Sequence, residues 1–171
     1  MIHLRAAVPG DELAAARVHV RSWQSAYRGL IAQDYLDGLR PEAWAGRYTF
    51  GRVGLQLPST QVAVDGARIC GLAITGLCRD GDVSNCGELM AIYVDPGYLR
   101  VGVGRSLMAT ARERLRHVGV AQAALWVLDG NAAARRFYER DGWRCDETHR
   151  TRCYGGTPVD EVRYRCTLQG I

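Results

Sequence analysis

The chain has 171 residues, of which 47% are hydrophobic and 23% are charged. This composition is that of an ordinary globular domain, and it excludes disordered, collagen-like and membrane-spanning chains. All 22 basic residues are arginine, which excludes mechanisms that need a lysine side chain, such as Schiff-base formation. The formal charge of +4 arises in residues 101–171 and is too small and dispersed for a nucleic-acid-binding face.

The six cysteines show no CxxC pair and no zinc-type Cys/His spacing, so we interpret them as reduced thiols and predict no metal site. The N-terminal residues Met1–Arg5 lack the apolar segment of a signal peptide, and no stretch has the length of a membrane helix. We therefore expect one domain over residues 1–171, located in the cytoplasm, without nucleic-acid or membrane partners. A homodimer is left open.

The first half of the chain predicts a strand followed by two helical segments. Residues Ile2–Val8 form the strand, and Gly29 ends the helix that follows it. The apolar stripe of that helix recurs at spacings of three and four and consists of Leu13, Ala16, Val20, Trp23 and Tyr27. Residues 33–48 carry a shorter helical pattern that is broken at Pro41.

The pattern changes to that of strands at Gln61. Residues 61–64 and Ile69–Leu77 flank an Asp65-Gly66 turn and predict an antiparallel hairpin. A third strand follows at Glu88–Val94 and ends at Asp95-Pro96-Gly97.

The C-terminal half begins with a helix that starts after Gly104 and ends near Gly119. A buried strand at Ala123–Leu128 and a short helix at Asn131–Arg140 come next. Two closing strands surround a turn at Tyr154-Gly155-Gly156.

Residues 92–105 combine a strand, a turn, a glycine-rich loop and a helix. Gly102 and Gly104 at the start of the helix allow backbone N–H groups to bind a phosphate, with help from the helix dipole. The same glycines could instead serve only a tight turn. A P-loop is excluded because GxxxxGK[ST] is absent, and a Rossmann motif is excluded because Leu107 stands where it needs glycine.

The segment 125–143 adds a second motif. It matches the pattern N-x-x-A-x-x-F-Y-x-x-x-G-[FW] through Asn131, Ala134, Phe137, Tyr138, Gly142 and Trp143. Together with the Val94-Asp95-Pro96 turn and the glycine-rich loop, it resembles the GNAT acetyltransferase superfamily over residues 2–168.

The resemblance implies an α+β fold with a mixed, mostly antiparallel sheet, splayed between its fourth and fifth strands and flanked by about four helices. It places acetyl-CoA in the splay, with backbone N–H groups of residues 101–105 on the pyrophosphate. The residues that it assigns to the cofactor are Ile92, Tyr93, Val94, Arg100, Val101, Gly102, Val103, Gly104, Arg105, Asn131, Ala134 and Phe137.

Two residues are candidates for catalysis. The resemblance makes Tyr138 the general acid that protonates the departing thiolate, and a phenol with a pKa of about 10 suits that role. The alternative is an aromatic residue that only packs beside Phe137. Glu88 is the candidate general base, acting directly or through water, and the alternative is a strand-end carboxylate that faces solvent.

One position departs from the superfamily pattern. Leu99 stands where Gln or Arg is usual. The backbone donors of the loop need no such side chain, and Arg100 or Arg105 could bind phosphate directly or remain solvated. For the acceptor, the resemblance points to the first helices and the last loop, where aromatic residues concentrate. The candidates are Trp23, Tyr27 and Tyr154, although the spacing of the first two also fits plain core.

We therefore predict an acetyl-CoA-dependent N-acetyltransferase that acts on an amine of a small molecule or peptide. Direct attack is expected because no cysteine occupies a motif position that would indicate a covalent route. The alternative function is a non-catalytic acyl-CoA-binding or regulatory module, which Leu99 allows.

Overall fold

The structure, a computed structural model, describes residues 1–52 and 58–168. In this part of the chain seven strands form one sheet with the order β1-β2-β3-β4-β5-β7-β6. The strands are β1 (Ile2–Ala6), β2 (Ser59–Asp65), β3 (Arg68–Leu77), β4 (Cys86–Val94), β5 (Gln122–Leu128), β6 (Arg144–Tyr154) and β7 (Thr157–Thr167). The helices are α1 (Glu12–Ala26), α2 (Gln33–Asp37), α3 (Pro41–Ala45), α4 (Val103–Val118) and α5 (Ala132–Arg140), with a short 3-10 helix at Pro96–Tyr98.

The predicted mixed, mostly antiparallel sheet is confirmed. Neighbouring strands pair antiparallel except β4 and β5, which are parallel. The described residues contain five α-helices rather than about four, because Pro41 begins a helix of its own at the first helical position, where its missing N–H costs no hydrogen bond.

The core lies on both faces of the sheet. On one face α4 packs its buried residues Leu107 and Met108 against Leu125 and Tyr164 of the sheet. On the other face α1 covers β2 and β3, and its C-terminal half packs with α2 and with Leu128 of β5. Successive residues of a strand point to opposite faces, so each central strand contributes to both layers.

Two features are absent from the described residues. These residues include no helix that is long and apolar enough to cross a membrane. In the same residues no group of three or more His, Cys, Asp or Glu side chains could hold a metal ion.

Candidate active site

The sheet opens between β4 and β5. Their parallel register joins only Cys86–Glu88 to Gln122–Ala124. Further along, β4 remains paired with β3 and β5 with β7. The facing edges of Leu89–Val94 and Leu125–Leu128 therefore part, and their backbone N–H and C=O groups are available to an extended ligand.

A β-bulge at Met90 explains where the two strands separate. The β3–β4 register passes from Ile74 opposite Ala91 to Thr75 opposite Leu89, which leaves Met90 as an extra residue. A bulge bends its strand and increases the local twist. This bend begins just after the last residues of β4 that pair with β5.

The loop that leads into α4 has the geometry of an anion site. Arg100 has φ +64° and Gly102 has φ +94°, and left-handed backbone of this kind occurs in loops that bind anions through N–H groups. Because α4 begins at Val103, the first amides of the helix lack intrahelical acceptors and lie at the positive end of its dipole. Arg100 and Arg105 are exposed beside them.

Asp95 anchors the start of this loop. Its buried carboxylate accepts hydrogen bonds from Gly97 N at 2.9 Å, Arg21 Nε at 2.9 Å and Arg68 Nη2 at 3.2 Å. Burial alone raises the pKa of Asp95, but the hydrogen bonds from Gly97 and Arg21 hold it below its ordinary value. The sequence indicated a turn residue, and the structure adds that Asp95 ties α1 and β3 to the loop.

Tyr138 lies on the α4 side of the opening. Its helix, α5, is capped by Asn131, whose Oδ1 accepts from Ala134 N at 3.3 Å. The Tyr138 ring is buried against Phe137 and Trp143. Burial, with a smaller contribution from Tyr93, raises the pKa of Tyr138 well above its ordinary value, so the phenol stays protonated at neutral pH.

The three segments that the resemblance assigned to the cofactor meet at Gly104. A Cβ atom placed on Gly104 would lie 3.5 Å from the Phe137 ring and 3.7 Å from Val94. Ile92 and Ala134 pack against the same core. The structure therefore brings the end of β4, the start of α4 and the middle of α5 together.

The opposite, α1 side of the opening holds an aromatic cluster of Trp23, Tyr27, Tyr93 and Tyr154. The Trp23 ring lies 5.0 Å from Tyr27, 5.5 Å from Tyr154 and 6.4 Å from Tyr93, centre to centre. Trp23, Tyr27 and Tyr154, the candidate acceptor residues, are thus brought together. They also form part of the core between α1 and β5.

His19 extends this aromatic cluster towards α3. Its ring stacks on Tyr93 at 4.5 Å, and its Nδ1 lies 2.8 Å from the Tyr48 hydroxyl. Burial, helped by the charge of Arg47, lowers the pKa of His19 to about 4. The imidazole is therefore neutral at physiological pH.

Glu88 lies at the closed end of the opening, where β4 and β5 still pair. It is 2% exposed. Its Oε1 accepts from Arg79 N at 3.2 Å and Arg79 Nε at 3.3 Å, and its Oε2 accepts from Arg79 Nη2. The carboxylate is thus buried and paired with a guanidinium, not directed into solvent as the alternative interpretation required.

Comparison with known proteins identifies the chain. The sequence profile of the acetyltransferase (GNAT) family matches residues 20–143, a range that includes the C-terminal half of α1, the opening of the sheet and Tyr138. The chain belongs to the GNAT acetyltransferase family. The predicted family and enzyme class, an N-acetyltransferase, are thereby confirmed.

Individual relatives agree with this assignment. An uncharacterized N-acetyltransferase, YuaI, of Bacillus subtilis is 32% identical over 132 residues, which cover 77% of this chain and 74% of the relative. A spermidine N(1)-acetyltransferase of Thermoplasma acidophilum is 20% identical over 74% of this chain and 78% of its own. The crystal structure of PaiA N-acetyltransferase from Thermoplasma acidophilum with coenzyme A has a TM-score of 0.72 and 17% identity over 98% of this chain and 99% of that chain.

Acetyl-CoA is the acetyl donor that membership of this GNAT family implies, as predicted. Three features of the structure fit it: the open edge of β4 suits an extended arm, the start of α4 suits phosphates, and the protonated Tyr138 suits a thiolate. Leu99 is exposed on the loop, where its side chain leaves the backbone amides of the loop accessible.

The sequence analysis missed three charged residues. Arg79 pairs with Glu88, and Glu161 and Arg163 are buried on the α1 side of β7. A signal was present in β7. There the acidic and basic residues Glu161, Arg163 and Arg165 alternate with Val162, Tyr164 and Cys166, which assigns the charged residues to one face. The pattern alone does not show that this face is covered.

A cavity of about 310 Å³ lies beside Pro96, at the end of β4. Four polar side chains of α1 and its C-terminal loop complete its lining, namely Arg21, Gln24, Ser25 and Arg28. Arg21 also pairs with Asp95, so Arg28 is the further cation of this otherwise neutral polar lining.

Proposed function

We propose that this protein transfers the acetyl group of acetyl-CoA to an amine of a small molecule or peptide by direct attack. The observation that carries the proposal is the opening between β4 and β5, which has the phosphate-binding loop at one end and Tyr138 at its side. Acetyl-CoA supplies an activated thioester. The residues of the chain bind it, position the acceptor and handle two protons.

Binding of the cofactor rests on backbone groups. The amides of Val103, Gly104 and Arg105 bind the pyrophosphate, and the freed edge of Ile92–Val94 binds the pantetheine arm and the acetyl carbonyl. These donors are fixed by the strand and the helix before the ligand arrives, so little reorganisation opposes binding or charge stabilisation. Asn131, Ala134 and Phe137 complete the wall on the α5 side.

Tyr138 holds the proton that the leaving thiolate takes up. Its burial keeps the phenol protonated at neutral pH. We propose that its O–H group donates to the sulfur atom of the cofactor in the opening. General acid catalysis needs a donor that is both protonated and within reach. The raised pKa of Tyr138 keeps it protonated and also makes it a weaker acid than a phenol of ordinary pKa.

The acceptor amine must lose a proton in the reaction. The two candidates are water and Glu88. Both oxygens of the Glu88 carboxylate accept hydrogen bonds from Arg79, so neither is free to take a proton from an incoming amine. We therefore favour water as the immediate proton acceptor, with Glu88 as a buried partner of Arg79 at the closed end of the opening.

A relative named for spermidine supports an amine acceptor in general terms. We place the acceptor on the α1 side, next to Trp23, Tyr27 and Tyr154, because Tyr138 and the phosphate-binding loop leave that face free. Location in the cytoplasm and a homodimer stay predictions.

The proposal is tested with purified protein in two steps. Calorimetry with acetyl-CoA and with coenzyme A should show binding, and millimolar cofactor should raise the melting temperature. A panel of amines should then release coenzyme A, measured as free thiol. If the protein shows neither binding of the cofactor nor thermal stabilisation by it, the proposal is ruled out.

A further inference from the structure

Glu161 is a buried carboxylate at the open end of the gap. It lies on β7 opposite Leu128, the last residue of β5, and it is 5% exposed. Directly paired residues of neighbouring strands share a face. Since Leu128 packs with Val20 and Trp23, Glu161 also faces α1, across the sheet from Tyr138.

Aromatic side chains lie on the same face of the sheet as this carboxylate, because Leu128, its partner in the strand pair, packs in one cluster with Trp23, Tyr27 and Tyr154. The charge of Glu161 contributes to the raised pKa values of Tyr27, Tyr93 and Tyr154, after the larger effect of their burial. These three residues belong to the aromatic cluster on the α1 side. A negative charge beside aromatic rings is a typical environment for a cation, which gains from both the carboxylate and the ring faces.

A cation of the chain itself already lies beside Glu161. Arg150 is held in place by Trp126, at 4.1 Å from the ring centre, and its Nε donates to Glu161 Oε1 at 3.0 Å. Arg152 approaches the same oxygen only to 3.9 Å, and its side chain is half exposed. That distance is too long for a hydrogen bond, so Arg152 can move away at small cost.

One oxygen of Glu161 remains available. Over residues 1–52 and 58–168 no donor is found for Oε2, whereas both oxygens of Glu88 are taken by Arg79. Glu88 also lies at the closed end of the gap, where β4 and β5 still pair. Of these two buried carboxylates, Glu161 is therefore the one that can bind an incoming group.

We propose that Glu161 determines acceptor specificity: its free oxygen binds an ammonium group of the acceptor, against the rings of Tyr27 and Tyr154, in place of Arg152. The inference rests on the proposed acetyl transfer. The reacting nitrogen must be unprotonated to attack, so the ammonium ion at Glu161 is a second one. The acceptor class is accordingly a diamine or polyamine.

Three four-carbon probes test the class: putrescine with two amino groups, butylamine with one, and γ-aminobutyrate, in which a carboxylate replaces the second amino group. Coenzyme A release should be faster for putrescine than for butylamine by roughly tenfold or more in kcat/KM, the range expected for a hydrogen bond to a charged group. γ-Aminobutyrate should be the poorest. Equal values for putrescine and butylamine, or preference for γ-aminobutyrate, would overturn the proposal.

Glu161→Gln keeps an oxygen for Arg150 and removes the charge. It should raise the KM for putrescine roughly tenfold with little change in kcat, and leave butylamine unaffected. Arg152→Ala should lower the KM for putrescine, because it removes the competing cation. Glu147→Gln, which removes an exposed carboxylate of β6, is the matched control and should change neither.

Calorimetry of putrescine with the coenzyme A-loaded protein gives a readout that does not depend on turnover. Weaker binding in Glu161→Gln than in Glu147→Gln supports the inference. Equal losses of kcat/KM for putrescine and butylamine would indicate a structural role and overturn it. If the cofactor binds and other amines are acetylated without this charge preference, the inference fails alone, whereas absence of cofactor binding contradicts the proposed function.

Discussion

At the scale of single residues, burial decides how the ionisable groups of the site behave. Tyr138, His19 and Glu88 are all buried, but with different partners. The Tyr138 phenol and the His19 imidazole stay neutral because burial disfavours their charged forms. Glu88 is paired with the Arg79 guanidinium. A tyrosine or histidine exposed to water, in contrast, would titrate near its ordinary pKa.

Tyr138→Phe should lower kcat by roughly a hundredfold, the usual contribution of a general acid, while the Kd for coenzyme A stays unchanged. Tyr164→Phe is the matched control, because its ring lies 6.2 Å from Tyr138 and its hydroxyl bonds to Glu139, on α5. Steady-state kinetics and calorimetry measure the two quantities. Full activity of Tyr138→Phe would make Tyr138 a packing residue.

The pH dependence of stability should report His19. Its pKa is about 4 when folded, against an ordinary value of 6.5. As the pH falls from about 6.5 to about 4, the unfolded chain takes up the proton first, so stability decreases in that range by about 3 kcal/mol. Urea denaturation should show that His19→Phe lacks this part of the decrease, while His3→Gln, at an exposed site, retains it. Parallel pH profiles for wild type and His19→Phe would contradict the assignment.

At the scale of elements, α4 carries glycines in left-handed backbone at both ends. Gly102 precedes the helix with φ +94°, and Gly119 ends it with φ +93°. A Cβ atom on either glycine would meet nothing within 4 Å. The two positions therefore impose the same conformational demand, but only the first lies in the glycine-rich loop that we propose binds the phosphates.

This symmetry provides a matched pair of variants. Gly102→Ala and Gly119→Ala should each reduce the free energy of unfolding by about 1–2 kcal/mol, because L-residues avoid the left-handed region. Only Gly102→Ala should also weaken binding of coenzyme A. Relief of the backbone strain at residue 102 would turn the first amides of α4, which we propose bind the phosphates. Denaturation and calorimetry separate the two effects. Equal coenzyme A affinities of the two variants would mean that the loop does not hold the phosphates.

At the scale of the whole molecule, one buried arginine connects distant strands. Arg163 of β7 is 3% exposed and binds Asp82 of the β3–β4 connection at 2.8 Å, Asp146 of β6 at 2.8 Å and Asp80 at 3.2 Å. The hydrogen bonds that Arg163 donates to these carboxylates, above all to Asp82, raise the pKa of Arg163 against the opposing effect of burial. The network crosses β5 and joins the two halves of the opened sheet.

Arg163→Met should therefore destabilise the fold by about 2 kcal/mol, because it removes the hydrogen bonds that the buried guanidinium donates to the partly buried Asp80 and Asp146. Arg144→Met, at an exposed position of β6, should change stability by less than about 0.5 kcal/mol. Chemical denaturation measures both. A loss in Arg163→Met no greater than that in Arg144→Met would show that the network contributes nothing.

The sequence by itself determined the elements, their order and the family, because periodicity, turn residues and the motifs at 92–105 and 131–143 are local. Through the resemblance it also predicted that Tyr138 and the glycine-rich loop belong to one site. The tertiary structure alone decided the charge partners and the neighbours of the buried charges. Arg79 pairs with Glu88, and Glu161 lies on the face of the sheet that packs against Trp23 of α1, more than a hundred positions away in the chain. Ion pairing and burial depend on distances between segments that local patterns do not encode, and those distances follow only from how the opened sheet packs against its helices.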